Sequence, residues 1–260
     1  MTASLAFATD VALRTAEGAE VERTPAGTVV RMPGNPGFRW GNFLLVPESG
    51  DPARRSAEHA AAFPGAGFVT VGVDDAHPDL DEGAWLAAGF TIERLAVLVA
   101  EGPGIAPTRG VRPLVSDVDW AAEQRIALAL DDAPDADHRE FVRRRTAERR
   151  AAVDAGRLVW LGAEVDGRVV ATAGIGDAGR GIARFQDVQT DAAHRRRGLA
   201  SALLAAGRIV AAQAFGSAAA VVVAERDGPA IGLYRRLGFR EIETQLQLSR
   251  IDGGAVGGAA

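Results

Sequence analysis

The 260-residue sequence contains neither cysteine nor lysine, so all 29 of its basic residues are arginine. The absence of cysteine excludes disulfides, thiolate metal sites and a cysteine nucleophile. The absence of lysine excludes a Schiff-base mechanism and the phosphate loop whose lysine follows a glycine run. No apolar run approaches the roughly 18 residues that span a bilayer, and the start lacks the basic segment of a signal peptide. We therefore expect a cytoplasmic protein with no membrane partner and no metal.

The composition is that of a globular protein, with 47% hydrophobic and 24% charged residues. The formal net charge of −5 argues against general affinity for nucleic acid. This charge is unevenly divided. Residues 1–110 carry 8 arginines against 14 acidic residues, whereas residues 111–260 carry 21 arginines against 20. An anionic ligand is therefore expected to bind the second half.

Glycine and proline divide the chain at residues 101–110, which we interpret as a linker. Residues 251–260 are interpreted as a flexible tail. The region between, 111–250, predicts the element order β α α β β β α β α β, with Asp166-Gly167 as a hairpin turn. The predicted segments are 111–115, 117–130, 137–155, 158–165, 168–174, 183–190, 197–213, 218–224, 229–237 and 241–248. This order is typical of an α/β fold with a mixed sheet and helices on both faces.

The two halves share an ungapped echo. Residues 83–90, GAWLAAGF, align with residues 232–239, GLYRRLGF, at an offset of 149, and each segment leads into an alternating strand. The apolar run at 69–73 falls on 218–222 at the same offset. Corners of this kind are common in proteins, but the matching upstream strand favours a duplication.

The strongest chemical signal is residues 188–201, VQTDAAHRRRGLAS, where a strand runs through a basic turn into a helix. Gly198 permits a tight turn, and the first amides of the helix have no partners within it. Together with the helix dipole they can bind a pyrophosphate. Taken alone, an RRRG sequence is more often a solvated loop that precedes a helix.

The context of this turn resembles a known family. Arg195-x-x-Gly198-x-Ala200 after a strand resembles the pyrophosphate motif of the GNAT superfamily of acyl-CoA-dependent N-acyltransferases. Residues 230–239, AIGLYRRLGF, resemble the second signature of that family, and the resemblance covers residues 111 to about 248. It implies a GNAT domain at 111–250 and a degenerate GNAT-like module at 1–100, in which Trp85 stands where the second half has Tyr234. The implied fold is a tandem one, with a mixed sheet flanked by helices in each module.

The resemblance also implies roles for particular residues. The strand end Val188, Gln189 and Thr190 is expected to offer backbone groups to the pantetheine arm of acetyl-CoA. Tyr234 stands at the family's usual general acid, and its alternative role is that of an ordinary core aromatic. The family usually has asparagine where this chain has Asp227, which puts one side-chain contact to CoA in doubt. The pyrophosphate is expected to be held at Arg195, Arg196, Arg197, Gly198, Leu199, Ala200 and Ser201.

Candidates for a general base are Asp187 and Glu225, with Glu164 as a further option and His194 as a weaker one. Each of these carboxylates is individually more often structural than catalytic. The arginine-rich segment 139–150 reads as a solvated helix face, with a contact to an anionic substrate as the alternative.

The predicted function is transfer of an acetyl group from acetyl-CoA to a primary amine, on a small molecule or a peptide, by direct attack in a ternary complex. The alternatives are a non-catalytic acyl-CoA sensor or scaffold, and acylation of a hydroxyl or thiol on the same fold. The expected partners are acetyl-CoA and an amine acceptor, and the chain is expected to be a monomer or a homodimer.

Overall fold

The computed structural model describes residues 3–104, 110–131 and 133–252. Most of the predicted tail, and residues 105–109 of the predicted linker, lie outside these residues. Two compact units are formed. Unit 1 comprises residues 1–97, 223–231 and 241–260, and unit 2 comprises residues 98–222 and 232–240. The division of the sequence into modules 1–100 and 111–250 stays a prediction.

Unit 1 has a sheet in the order β1-β2-β3-β4-β11, and its core lies where helices cover that sheet. β3 and β4 are parallel, and the other neighbours pair antiparallel. A short 3-10 turn at Arg39–Gly41 precedes β3. The elements are α1 (Leu5–Ala16), β1 (Glu20–Thr24), β2 (Gly27–Arg31), β3 (Phe43–Val46), α2 (Pro52–Ala62), β4 (Phe68–Val73), α3 (Glu82–Ala87), β5 (Thr91–Glu101), which continues into unit 2, and β11 (Arg240–Ile251).

Unit 2 has a sheet in the order β5-β10-β9-β8-β7-β6. Strands β6 to β9 pair antiparallel and β10 pairs parallel to β9, so the sheet is mixed as predicted. Observed bounds differ from the predicted ones by a few residues at most. The elements are β6 (Val111–Pro113), α4 (Asp117–Leu128), α5 (Ala136–Asp154), β7 (Leu158–Val165), β8 (Arg168–Asp177), β9 (Ile182–Thr190), α6 (Leu199–Phe215), β10 (Ala219–Glu225) and α7 (Ile231–Arg236).

Alternation along the strands places the core of unit 2. Leu161, Ala171 and Ala173 face the apolar side of α6, where Leu203 and Ala206 pack on them. Trp160, one position from Leu161, points to the opposite face because successive side chains of a strand alternate. Ser116 caps α4 with a full capping box.

β11, the last strand among the described residues, belongs to unit 1 from residue 241 onward. β11 pairs antiparallel with β4, with Leu246 opposite Val73 and Ile251 opposite Phe68. The sequence predicts a strand at 241–248 but not its partner, because alternation reports which face is buried and not which neighbour is paired. The central strand β4 therefore pairs with β3, which precedes it in the sequence, and with β11, which follows it by more than 160 residues.

The echo at offset 149 is also visible in the structure. Helices α3 and α7 occupy matching residues, and so do the first residues of β5 and β11. Gly89 and Gly238 both have positive φ, at 79° and 85°. The amide of Phe90 donates to the carbonyl of Trp85 at 3.1 Å, and the amide of Phe239 donates to that of Tyr234 at 3.0 Å. Both corners thus end their helices with the same turn. Among the described residues, no helix is long and apolar enough to cross a bilayer.

Candidate active site in unit 2

A bulge interrupts β9 next to the segment that is predicted to bind the pantetheine arm of acetyl-CoA. Gly174 of β8 pairs with Gln186 and Thr172 pairs with Gln189, so Ala173 faces the two residues Asp187 and Val188. Asp187 has a φ of +48°, which is uncommon for a residue with a side chain. An extra residue of this kind bends a strand and increases its twist. The bulge therefore redirects the last residues of β9.

β9 and β10 are paired over a short stretch only. The recorded register joins Ala219, Ala220 and Val221 to residues 182–184, and no pairing with β10 is recorded for residues 185–190 within the described chain. Among the described strands, the end of β9, including Val188, Gln189 and Thr190, pairs with β8 only. Backbone groups on its other side are thus available to a ligand.

The turn after β9 leads to an open helix N-terminus. Gly198 is the N-cap of α6 with a φ of +80°, and no side chain caps the first turn. A Cβ built on Gly198 meets no atom within 4 Å, so the space before the helix is clear. The 17-residue helix contributes a partial positive charge at this end. Leu199, Ala200 and Ser201 form its first turn, whose amides have no acceptor in the helix.

Positive charge surrounds this helix N-terminus. Arg195, Arg196 and Arg197 are exposed, and the Nε of Arg195 donates to the carbonyl of Thr190 at 3.3 Å. Arg196 has a φ of +61°. These groups fit a pyrophosphate, because three arginines, a helix dipole and an unobstructed glycine meet within four residues.

Asp191 fixes the start of the turn. Its carboxylate accepts from Nη1 of Arg125 on α4 at 2.7 Å and from the amide of Ala193 at 3.1 Å. The hydrogen bond from Arg125 holds the pKa of Asp191 below its usual value. The amide of Asp191 donates to the carbonyl of Val170. His194, the weaker base candidate, lies with its Nδ1 3.6 Å from the same carboxylate.

Asp187 is the end of a buried ionic chain. Arg149 on α5 donates through Nη2 to Asp187 at 2.7 Å and through Nη1 to Glu123 of α4 at 2.6 Å. Glu123 is fully buried, and its second oxygen accepts from the hydroxyl of Thr146 at 2.7 Å. The guanidinium of Arg149 lies 4.9 Å from the ring centre of Trp160.

The interpretation of residues 139–150 as a solvated helix face is wrong for two of its arginines, since Arg145 and Arg149 are buried. The signal was present in the spacing: Val142, Thr146, Arg149 and Ala152 are all buried and recur at helical intervals. Sequence reasoning missed Arg149 and Glu123 because charged residues are rarely buried unless they are paired.

Tyr234 lies on α7 and is 7% exposed. Burial raises the pKa of its phenol, and the positive charge of Arg184 on β9 opposes the shift. The phenol therefore keeps its proton at neutral pH. Its ring packs edge-on to Phe239 with the ring centres 5.9 Å apart.

The other candidates fall elsewhere. Glu225 is the last residue of β10 and Asp227 follows it in a turn, and both are assigned to unit 1. Their roles toward a donor in unit 2 stay predictions. Glu164 is ion-paired to Arg112 at 2.6 Å. Because the same guanidinium also binds Asp119 at 2.7 Å, Glu164 is part of a structural network.

The corresponding turn of unit 1, between β3 and α2, is differently built. Asp51 caps α2 by accepting from the amide of Arg54 at 2.8 Å, and Pro52 follows it. Arg55 turns back and donates to the carbonyls of Glu48 and Ser49. A carboxylate thus occupies the helix N-terminus where unit 2 has an open glycine. In α3, fully buried Trp85 stands where α7 has Tyr234 and offers no hydroxyl.

Residues 122–239 match the model of the acetyltransferase (GNAT) family. The chain is similar to a GCN5-related N-acetyltransferase from Kribbella flavida, with 19% identity and a TM-score of 0.62 over 97% of this chain and 98% of that one. The sequence matches none of the curated proteins with which it was compared.

Two further solved structures are similar over most of the chain. A functionally unknown conserved protein from Staphylococcus epidermidis has 13% identity and a TM-score of 0.71, over 90% of this chain and 95% of that one. A tandem GNAT protein from the clavulanic acid biosynthesis pathway has 16% identity and a TM-score of 0.51, over 98% of each chain. At these identities the likeness concerns the fold. The fold is thus that of a tandem GNAT protein, and residues 122–239 are the part of the chain that matches the acetyltransferase (GNAT) family.

Proposed function

We propose that the chain is an N-acetyltransferase that moves the acetyl group of acetyl-CoA to a primary amine. The observation that carries this proposal is the open N-terminus of α6, which has Gly198 at its cap and three exposed arginines before it. It lies inside the segment that matches the acetyltransferase family. The donor, when bound, supplies the activated acyl group, and the chain supplies the site that holds it.

The residues divide this task between them. Amides of residues 196–201 and the arginine side chains would hold the pyrophosphate. Backbone groups of Val188–Thr190, which have no partner in β10, would hold the pantetheine arm and polarise the acyl carbonyl. The acceptor nitrogen bonds to the acyl carbon while the carbon–sulfur bond breaks. One proton must therefore leave the nitrogen, and one must reach the sulfur.

Tyr234 is the proposed source of the proton for sulfur. Its buried, protonated phenol can donate to a thiolate as that thiolate forms. Asp187 and Glu225 are the proposed alternatives for accepting the proton of the amine, directly or through water. The absence of a cysteine to carry the acyl group favours direct attack of the amine on the thioester. Positioning of the two substrates then supplies a large share of the rate.

Calorimetric titration of the full chain with acetyl-CoA tests the proposal. The full chain is needed because removal of residues 1–104 would leave β11 without β4. We expect one site, and loss of binding in Gly198→Asp, whose carboxylate would enter the space for the phosphates. Gly179→Asp is the matched control, since Gly179 also has a positive φ, at 78°, and also has no atom within 4 Å of a built Cβ.

Equal binding by the two variants would mean that the site is misplaced, and no binding by the wild type would refute the donor. Transfer is then measured with a panel of primary amines as release of free thiol. The protein gives no background in a thiol assay because it contains no cysteine. Binding of acetyl-CoA with no thiol release for any amine would favour the non-catalytic sensor.

A further inference from the structure

The bulge in β9 is held from outside the sheet, and the contacts that hold it involve a base candidate. Asp187 adopts a left-handed backbone conformation, in which a side chain carries a steric cost. Its carboxylate accepts from Arg149, which is itself anchored on fully buried Glu123. Strained residues of this kind persist only where the surroundings determine them, and they concentrate at functional sites.

Each part of this chain of contacts fixes the next. Thr146 and Arg149 together satisfy both oxygens of Glu123, so that carboxylate is not free to move. Packing over Trp160 holds the guanidinium in place. The remaining terminal nitrogen of Arg149 reaches β9 at the residue where the strand bends. Two helices therefore determine the backbone of β9 through one guanidinium.

The bend lies immediately before residues 188–190, the segment proposed to hold the acyl donor. The last recorded pair with β10 is at Arg184, the bulge is at Asp187, and residues 188–190 follow at once. The direction of the backbone groups of Val188–Thr190 thus depends on the conformation of Asp187. One carboxylate oxygen of Asp187 accepts from Arg149 at 2.7 Å, and this contact holds the side chain in place, as a positioning role requires.

We propose that Asp187 is a positioning residue. Its carboxylate is bound by Arg149, which is paired with Glu123, and this contact fixes the bulge that orients the backbone groups of residues 188–190 toward the acyl donor. The inference rests on the proposed function and assigns proton transfer from the amine to another group. Substitutions at Asp187 can then be ranked by how well each residue tolerates a positive φ. Asparagine tolerates it and can still accept from Arg149, glycine tolerates it without that contact, and valine tolerates it poorly.

The test compares Asp187→Asn, Asp187→Gly and Asp187→Val in the full chain. Arg149 is left intact, since an unpaired buried charge could unfold the unit. The Kd for acetyl-CoA is expected to rise least in Asp187→Asn, further in Asp187→Gly, and about tenfold or more in Asp187→Val, the range that backbone strain of this kind implies. kcat is expected to fall in the same order. Backbone amide exchange of residues 188–190 in the free protein should be fastest in Asp187→Val.

Asp166→Val is the matched control. Asp166 is an exposed aspartate of the same unit with a φ of +50°, in the turn between β7 and β8. Its replacement carries the same steric cost, and the Kd for acetyl-CoA should stay at the wild-type value. If Asp166→Val weakens the donor as much as Asp187→Val does, the effect is general destabilisation and the inference is wrong.

Two other results would overturn it. One is that all three Asp187 variants lose kcat equally while the Kd for acetyl-CoA stays constant, the pattern of a lost base. The other is that Asp187→Val leaves both the Kd and the amide exchange of residues 188–190 unchanged. Failure of the proposed function looks different, because the wild type would then bind no acetyl-CoA while the order of amide exchange could still be measured.

Discussion

Unit 1 should lose stability as the pH falls, because it buries a histidine. His59 of α2 is 1% exposed, and burial lowers its pKa from 6.5 to about 4. Its ring lies 4.6 Å from that of Phe63 and 5.9 Å from that of Phe68, measured between centres. A hydrogen bond to the backbone of Asn42 and the charge of Asp252 oppose the shift but do not cancel it.

The sign and size follow from linkage. Between pH 6.5 and 4 the unfolded chain binds a proton at this histidine and the folded chain does not, so acid favours unfolding. The two pKa values imply a loss of about 2 kcal/mol from near pH 7.5 to near pH 5, and a limit of about 3 kcal/mol below pH 4. Above about pH 7.5 the ring is neutral in both states, and stability no longer depends on this histidine.

Urea unfolding of the full chain, followed by circular dichroism at several pH values, measures this loss. Because carboxylates also titrate, the informative quantity is the difference between the wild type and His59→Gln, which removes the titrating ring. We expect the variant to be less stable at neutral pH and to have the shallower pH slope. Equal slopes in the two proteins, or a histidine resonance of residue 59 that titrates near 6.5, would refute the reasoning.

Two further predictions concern unit 2. Tyr234→Phe removes only the phenol, so kcat should fall by about 10²-fold or more while the calorimetric Kd for acetyl-CoA stays within a few-fold; an unchanged kcat would exclude Tyr234 as the acid. Gly174→Ala should lower the free energy of unfolding by about 1–3 kcal/mol, because the new Cβ would lie 2.3 Å from the ring of Trp160. Thermal unfolding measures that loss. Gly37→Ala is the control: a Cβ built on Gly37 has no atom within 4 Å, so its stability should stay near the wild-type value.

The sequence predicts elements well where its signals are local. The hairpin at Asp166-Gly167 and the helix near Gly198 each depend on a residue whose backbone chemistry allows few alternatives. The echo between residues 83–90 and 232–239 could also be detected in the sequence, because both helices end at a glycine, and that glycine adopts a positive φ in each.

Other features could not be predicted because they depend on distant contacts. The left-handed conformation of Asp187 has no local signal, since the register of β8 and β9 creates it. The burial of Arg149 follows from its partners Glu123 and Asp187, which lie far away in the sequence. A helix rich in arginine resembles a solvated surface until those partners are known.

The pairing of β11 with β4 has a consequence for how the chain is made. Residues 68–73 leave the ribosome long before residues 246–251, and at usual synthesis rates the interval is roughly 10–35 s. During that time the nascent chain lacks the antiparallel neighbour of a central, apolar strand. An unpaired strand edge is a template for association with other chains. The sheet of unit 1 can therefore be completed only after residues 246–251 have been synthesised.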